Sequence, residues 1–211
     1  MRVIAIDGPA GAGKSTVARA LAARLGLEYL DTGAMYRAVT LAAMRRGIDT
    51  ADLERVAKLA EELSLEVGER GVLVDGFDAT TEIRSSTVTT AVSAVAANSG
   101  VRSEMVRRQR RWADERDGGV LEGRDIGSVV FPDAELKLYL TASPRVRAER
   151  RVAEAGGDVH EIEAAIKRRD HHDSSRRDSP LVEADGSIVV DTTGLSIAEV
   201  LARIEQLLER E

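Results

Sequence analysis

The sequence predicts an α/β fold in which helices flank a parallel sheet. Short apolar runs bounded by loops recur along the chain, as expected of strands buried on both faces, and segments of helical periodicity separate them. A second observation adds a detail, because at about 65–84 short β-type runs alternate with Gly and Asp turns. We expect this stretch to form a small antiparallel insert of two or three strands.

The elements before the insert follow from these patterns. RVIAID reads as a short buried strand, and an alanine-rich segment after the next glycine-rich turn predicts a helix. EYLD predicts a second strand, which leads into a helix that Thr32 is placed to cap and Gly47 to end. The expected strands are 2–7 and 28–31, and the expected helices are 14–25, 32–46 and about 51–63.

Helical patterns return after the insert, separated by further strands. VLEG, LKLYL and SIVVD are apolar runs typical of buried parallel strands, and a charged helical stretch is expected to break near Gly156-Gly157. The expected helices are about 85–97, 99–116, 144–177 and from Ser196 onward, and the expected strands are 120–123, 136–140 and 187–191.

Composition and charge limit the kinds of protein that this can be. A length of 211 residues with 43% apolar and 31% charged residues fits one globular domain. No apolar run approaches a membrane span, and the net charge of −6 is no electrostatic match for nucleic acid. The absence of cysteine excludes disulfides and thiolate metal sites. We expect a cytoplasmic protein, monomeric by default, with no nucleic-acid or membrane partner.

The residues GPAGAGKST at 8–16 match the G-x-x-x-x-G-K-[ST] pattern of a phosphate-binding P-loop, with a predicted strand before and a helix after. Small residues allow successive backbone N–H groups to turn toward a phosphate, and the helix adds its positive end. Lys14 can reach the β- and γ-phosphates, and the Ser15 hydroxyl can ligate Mg²⁺. The residues expected to bind ATP are Gly8, Pro9, Ala10, Gly11, Ala12, Gly13, Lys14, Ser15 and Thr16.

P-loops occur in switches, motors and kinases, and the rest of the chain favours a kinase. A GTPase would need an N/T-K-x-D guanine-binding motif, which the sequence lacks, although Asp191-Thr-Thr-Gly194 matches the letters of a switch motif. A motor ATPase would need an apolar strand that ends in adjacent acids, and none is evident. SIVVD ends in Asp191, and its simpler interpretation is a strand end that leads into a loop beside the base.

Charge arithmetic favours an acceptor that is itself phosphorylated. A triphosphate brings about four negative charges and a monophosphate about two, whereas Mg²⁺ and Lys14 offset about three. About three more cations are therefore needed, and arginine suits them because its planar fork binds phosphate oxygens in pairs. The suitably placed candidates are Arg37, Arg124, Arg169 and Arg176.

The last two candidates lie on the charged helical stretch together with Asp173. The spacings of four and seven residues allow Arg169, Asp173 and Arg176 to share one helix face. The alternative for Arg169 and Asp173 is an exposed ion pair on the helix surface, and spacing alone favours that alternative.

Four segments together resemble the bacterial cytidylate kinase family in order and spacing: GPAGAGKST at 8–16, LDTGAMYR at 30–37, EGRDIGSVVFPDA at 122–134 and IKRRDHHDSSRRDSPL at 166–181. The resemblance covers essentially the whole chain, and the second and third segments are much more specific than the P-loop. It implies transfer of the ATP γ-phosphoryl group to CMP and dCMP, with Mg²⁺ as cofactor.

The resemblance also implies roles for individual residues. Lys14, Arg124, Arg169 and Arg176 would be catalytic. Ser93, Arg102 and Asp125 would read the cytosine edge, Asp173 and Arg169 the ribose, and Arg37, Arg124 and Arg176 the phosphate. The implied acceptor residues are Thr32, Arg37, Ser93, Arg102, Arg124, Asp125, Arg169, Asp173 and Arg176.

Reasoning from the residues alone supports the base pocket less strongly. Asp125 can accept a hydrogen bond from the cytosine amine and Arg102 can donate to its acceptors, whereas uracil would turn an acceptor toward Asp125. Ser93 lies in AVSAVAA, where a helix-packing role is the alternative. Helix arginines lie over adenine in similar kinases, which makes Arg147 and Arg151 candidates for that role. A solvated helix face is the alternative, and neither residue is assigned.

The expected organisation is a single P-loop kinase domain with an insert and a lid. Lid closure would exclude water during direct in-line transfer. UMP or a non-nucleotide metabolite as acceptor, or a nucleotide-dependent switch with no acceptor, are the alternatives. The expected limits are a core of about 1–63, 117–155 and 182–211, a monophosphate-binding insert of about 64–116, and a helical lid of about 156–178.

Overall fold

The computed structural model describes residues 1–68 and 71–208 of the chain. These residues form two compact units, one comprising Met1 and 29–117 and the other comprising 2–28 and the chain from 118 onward. We call the first the insert unit and the second the P-loop unit. Among the described residues, no helix is both long enough and apolar enough to cross a membrane.

The P-loop unit alternates strands with helices, as the sequence predicts. Strands and helices are numbered along the whole chain. The elements of this unit are β1 (Arg2–Asp7), α1 (Lys14–Leu25), β6 (Gly118–Glu122), β7 (Leu136–Thr141), α6 (Pro144–Ala155), α7 (Val159–Ser174), β8 (Ile188–Asp191) and α8 (Ile197–Leu208).

Four strands of this unit lie side by side in the order β6-β1-β7-β8. Every pairing among them is parallel, and Ile4 in β1 lies in register with Val120 on one side and Leu136 on the other. Both β6 and the stretch of β1 from Val3 to Asp7 are buried, which explains why each carries an unbroken apolar run before its terminal acid. The predicted parallel sheet is confirmed.

The insert unit contains the predicted antiparallel sheet and four helices. The three strands of this sheet have the order β3-β4-β5, and Leu65 pairs with Val74 in its antiparallel ladder. The elements of this unit are β2 (Tyr29–Asp31), α2 (Thr32–Arg45), α3 (Leu53–Glu62), β3 (Leu65–Gly68), β4 (Gly71–Val74), β5 (Phe77–Asp78), α4 (Ser86–Ala97) and α5 (Ser99–Asp114).

The insert unit starts at residue 29 and therefore includes α2 and α3 besides the stretch from 64 to 116. The domain limits expected from the sequence stay a prediction.

Two of the predicted helix ends differ from those observed. Asp31, and not Thr32, caps α2, because the Asp31 carboxylate accepts a hydrogen bond from the Ala34 N–H at 3.0 Å and Thr32 is already helical. The long charged helix breaks at Gly156 as predicted, but α7 ends at Ser174. Arg176 therefore lies beyond the helix that carries Arg169, and the expectation that the two share one helix is wrong.

The segment after β6 contains a π-helical turn that the sequence analysis did not predict. This turn spans Ile126–Val130. The carboxylate of Asp7, at the end of β1, accepts hydrogen bonds from the backbone N–H groups of Ile126 at 2.9 Å and Gly127 at 2.7 Å. Because Asp7 is 4% exposed, it holds the start of the turn from inside the P-loop unit.

The buried position of Asp7 has a consequence for stability. Burial is the main cause that raises the pKa of its carboxyl to about 6, and Asp125 adds to the rise, while the two backbone N–H groups and Lys14 oppose it. A folded-state pKa above the unfolded value means that the carboxyl keeps its proton to a higher pH in the native state than in the unfolded state. The contribution of Asp7 to the free energy of unfolding is therefore fully present below pH 3.8 and is lost as the pH rises to about 6.

We predict that Asp7→Asn removes this pH dependence. Between pH 4 and pH 7, the free energy of unfolding of the unmodified protein should fall relative to that of the variant by roughly 2–3 kcal/mol. Urea denaturation of both proteins across this range measures the difference. Asp133→Asn, which removes an exposed carboxylate from the segment after the turn, is the matched control. A difference that stays constant with pH would contradict the assignment.

Candidate active site

The P-loop connects β1 to α1 through glycines that no other residue could replace without strain. Gly8 has a φ of 142°, and a side-chain carbon there would lie 2.0 Å from the carbonyl oxygen of Leu140. Gly13, the residue before α1, has a φ of 89°. Ser15 and Thr16 follow at the exposed N-terminal end of α1, where free N–H groups and the helix dipole favour an anion. The predicted strand, loop and helix are all present.

Lys14 is the buried cation of this loop. It is 7% exposed, and its Nζ donates a hydrogen bond to the carbonyl oxygen of Pro9 at 2.9 Å. Burial, followed by the positive charge of Arg124, lowers the pKa of the Lys14 ammonium to about 7, while Glu122 and Asp7 act in the opposite direction. A phosphate placed at the loop would supply the negative charge that this buried ammonium lacks.

The carboxylate of Asp173 is the centre of an arginine cluster in the same unit. Asp173 is fully buried, and its two oxygens accept hydrogen bonds from Arg124 Nε at 3.0 Å and from Arg176 Nη2. Burial by itself would raise the pKa of this carboxyl, but Arg124, Arg176 and Arg169 together hold it below its ordinary value. The interpretation of Asp173 as half of an exposed surface pair is wrong.

The arginines of the cluster interact electrostatically with Lys14 of the P-loop. Arg124 and Arg169 both lower the pKa of Lys14, so their positive charges act on the ammonium at the end of the P-loop. Four of the predicted residues therefore concentrate positive charge in the P-loop unit, with Asp173 as the carboxylate bound between the arginines. Such an arrangement suits a ligand that carries several negative charges. These four residues are Lys14, Arg124, Arg169 and Arg176.

Asp125 follows Arg124 at the point where β6 gives way to the π-helical turn. It is 4% exposed, and its carbonyl oxygen accepts hydrogen bonds from the N–H groups of Val129 and Val130. Arg124 and Asp125 are thus fixed from both sides, since Gly123 donates to the carbonyl oxygen of Ile6 and Asp7 holds the turn that comes next.

The loop after β8 lies against the P-loop. The Thr192 hydroxyl is within hydrogen-bond distance of the carbonyl oxygens of Ala12 at 3.3 Å and Thr141 at 3.0 Å, and Arg150 donates to the Thr192 carbonyl oxygen at 2.8 Å. Asp191 is exposed and accepts a hydrogen bond from the Thr193 N–H at 2.8 Å. Asp191 therefore ends the strand and shapes the next turn.

The insert unit holds the other predicted acceptor residues on three helices that pack together, α2, α4 and α5. Arg37 of α2 donates to the carbonyl oxygen of Ile83 at 3.1 Å and to the Thr89 hydroxyl at 2.8 Å. Arg102 of α5 is 4% exposed, donates to the carbonyl oxygen of Ala96 at 3.1 Å, and lies 5.4 Å from the centre of the ring of Tyr36, a residue of α2. The two guanidiniums are positioned by their own unit.

Thr32 and Ser93 complete the predicted set in this unit. Thr32 is buried at the first turn of α2, and Ser93 is half-buried on α4. The nine acceptor residues thus fall into four in the insert unit and five in the P-loop unit, and their roles toward an acceptor stay predictions.

Arg147 is a residue that the sequence analysis left unassigned and that the structure places at the P-loop. It is 3% exposed, and its guanidinium donates to the carbonyl oxygen of Ala10 at 3.1 Å. Of the two alternatives, the solvated helix face is wrong. The run of basic residues around it gives no signal of burial, because Arg145, Arg150 and Arg151 are all more exposed.

Three side chains that are close in sequence to the arginine cluster lie on the surface. His171, His172 and Arg177 are exposed. No group of three or more His, Cys, Asp or Glu side chains in residues 1–68 and 71–208 is arranged to hold a metal ion.

Curated relatives match the chain over nearly its full length. The Rhodococcus opacus protein named cytidylate kinase is 49% identical over 96% of this chain and 92% of that protein. The Mycobacterium leprae protein of the same name is 47% identical, over 99% of this chain and 96% of its own. A Synechococcus protein named bifunctional pantoate ligase/cytidylate kinase is 53% identical over 99% of this chain, which covers 41% of that longer protein.

Solved structures show the same fold at low identity. A gluconokinase from Sinorhizobium meliloti superposes with a TM-score of 0.52 at 15% identity, covering 100% of this chain and 97% of that one. A shikimate kinase from Acinetobacter baumannii gives 0.51 at 15% identity, covering 100% and 94%. At the sequence level, the family model described as Cytidylate kinase matches residues 4–210. This chain therefore belongs to the cytidylate kinase family.

Proposed function

We propose that the protein transfers the γ-phosphoryl group of ATP to CMP, and to dCMP, to form the corresponding diphosphate. Family membership supports the reaction. The single structural observation that carries the proposal is the buried Asp173 with its arginines beside the P-loop. A hydrolase of ATP needs cations for one polyphosphate, whereas a kinase of monophosphates needs them for two phosphate groups at once.

The ATP phosphates occupy the P-loop in this proposal. Backbone N–H groups of the loop and of the first turn of α1 donate to the β-phosphate, and Lys14 moves its ammonium from the Pro9 carbonyl toward the β- and γ-oxygens. Bound there, the ammonium stays protonated because the phosphate oxygens offset its desolvation.

Transfer then requires positioning more than covalent chemistry. The CMP phosphate is already ionised at neutral pH, so its oxygen attacks the γ-phosphorus in line without a strong base and the bond to the β–γ bridging oxygen breaks. Arg124, Arg169 and Arg176 stabilise the charge spread over the equatorial oxygens during transfer. Asp173 keeps these guanidiniums close together until the phosphates bind. Its carboxylate also accepts a hydrogen bond from the ribose of the acceptor.

Recognition of the base falls to Asp125, Arg102 and Ser93 in this proposal. Cytosine offers an exocyclic amine donor beside two acceptors, so a carboxylate and a guanidinium match its edge. Asp125 and Arg102 are both held firmly by their own units and are 4% exposed, which makes a mismatched base costly. Thr32 and Arg37 bind the acceptor from the insert unit, the latter at its phosphate.

Mg²⁺ is the cofactor in this proposal, with the Ser15 hydroxyl as the protein ligand. Ser15 is exposed at the start of α1, one residue after Lys14, which fits a ligand that shares the ion with phosphate oxygens. When bound, the ion would offset part of the charge of the triphosphate. A cytoplasmic location and a monomeric state complete the proposal, and neither nucleic acid nor membrane is a partner.

A panel of acceptors tests the proposal. We expect CMP and dCMP to release ADP from ATP rapidly, and UMP and AMP to do so at least about 100-fold more slowly in kcat/KM. A coupled assay of ADP release measures all four. Faster turnover of UMP would favour a different monophosphate kinase, and ATP consumption that is indifferent to every acceptor would favour a nucleotide-dependent switch.

Replacing Arg124 by alanine should lower kcat for CMP by about 100-fold or more, because the variant loses a cation that contacts the transferred group. ATP should still bind, since the backbone of the P-loop is unchanged. Initial rates give kcat, and calorimetry gives the affinity for ATP. Arg177→Ala, which removes an exposed arginine from the neighbouring loop, should stay within about twofold of the unmodified enzyme. Near-normal turnover by the Arg124 variant would overturn its role.

Replacing Asp125 by asparagine should relax the choice of base. The asparagine amide can donate to the uracil O4, which the carboxylate cannot, so the ratio of kcat/KM for CMP to that for UMP should fall by about 100-fold. The measurement is the same rate assay with both acceptors. An unchanged ratio, with both rates lowered equally, would show that Asp125 does not read the base.

A further inference from the structure

We propose that Arg147 is a positioning residue that fixes the predicted lid helix α7 to the P-loop through an ion pair with Asp170. The inference rests on the proposed function, because the groups that it positions are those of the phosphoryl-transfer site. Arg147 exerts this proposed role through Asp170 and α7.

Each of the three nitrogens of the Arg147 guanidinium donates a hydrogen bond to a different segment. Nε donates to the carbonyl oxygen of Ala142 at 2.8 Å, Nη1 to that of Ala10 at 3.1 Å, and Nη2 to Asp170 Oδ2 at 2.7 Å. The three acceptors belong to the end of β7, the P-loop and α7. One planar group therefore sets the relative positions of three segments of the P-loop unit.

The Arg147 side chain is buried as well as bonded. Its exposed fraction is 4%, compared with 22% for Asp170. Its Cβ also packs against the P-loop, because a side-chain carbon added at Gly11 would lie 3.2 Å from it. A lysine at 147 could make one of these contacts but not all three, since its ammonium is a single point without a fork.

Asp170 depends on Arg147 for its pairing. Its Oδ1 is buried and has no hydrogen-bond partner in the described part of the chain, so the bond from Arg147 to Oδ2 is what compensates the carboxylate. Without that bond the carboxylate would be left partly desolvated and unpaired, and α7 would have to shift to bring it to water.

A shift of α7 would move two groups of the candidate site. Asp170 directly follows Arg169 in α7 and lies three residues before Asp173, which binds Arg124 and Arg176. Misplacement of reacting groups by about 1 Å can lower a rate by about 100-fold. We therefore expect the pair to act on the transfer step, and the affinity for ATP to change little.

The test compares Arg147→Lys, Asp170→Asn and the double variant. Each single change should lower kcat for CMP by roughly 10–100-fold while KM for ATP stays within about threefold. The double variant should be no slower than the slower single variant, because both changes remove the same interaction. Rates are normalised to ATP-binding sites counted by calorimetry, so that a loss of folded protein does not lower kcat.

Arg145→Lys is the matched control. Arg145 also lies on α6 and faces a carboxylate of α7, with 3.7 Å between its Nη1 and Glu163 Oε2. Its side chain is 44% exposed, and its polar partners in the described residues are Glu149 and Glu163, neither of them in the P-loop. Its replacement should change kcat by less than about twofold. Hydrogen exchange of the α7 amides should be faster in the Asp170 variant and unchanged in this control.

The possible failures are distinguishable. If the unmodified protein does not phosphorylate CMP, the proposed function fails. If it does, but the normalised kcat of Asp170→Asn is unchanged, or the two single effects add fully in the double variant, the positioning role is wrong. Should Arg147→Lys not fold, the kcat and hydrogen exchange of Asp170→Asn decide the question alone.

Discussion

The buried carboxylate of Asp173 holds together guanidiniums that would otherwise repel one another. Arg124 and Arg176 bind its two oxygens and Arg169 adds to the same field, so that a group of cations is kept in place by a single anion. Burial first, and then the charge of Arg124, lowers the pKa of Lys14, so further negative charge is favourable there as well. Phosphates supply that charge. An anionic ligand therefore suits the P-loop unit.

The rest of the P-loop unit keeps these charges at fixed positions. Asp7 ties the end of β1 to the π-helical turn, which starts directly after Arg124 and Asp125, and it does so at the cost of burying its own carboxylate. The glycines of the P-loop bring its backbone close to β7 and to Arg147. Rigidity of this kind suits a reaction in which the enzyme orients reactants and stabilises charge.

Local patterns in the sequence predicted much of this, and long-range pairs explain the remainder. The parallel strands and the P-loop are read directly from apolar runs and from glycine spacing. The role assigned to Ser93 depends on family resemblance, because a serine in an alanine-rich helix carries no signal of its own. The π-helical turn and the burial of Arg147 depend on Asp7 and Ala10, both more than one hundred residues away. The cap of α2 was misassigned because Asp31 and Thr32 are adjacent and both suit that position.

The central claim is that the phosphoryl group leaves ATP for the phosphate of CMP. The most direct measurement follows a ³²P label from the γ-position of ATP and compares the labelled CDP formed with the ADP released. The account predicts one labelled CDP for each ADP, and negligible ATP consumption when CMP is omitted. Label released as inorganic phosphate, or ADP formed without CDP, would contradict it.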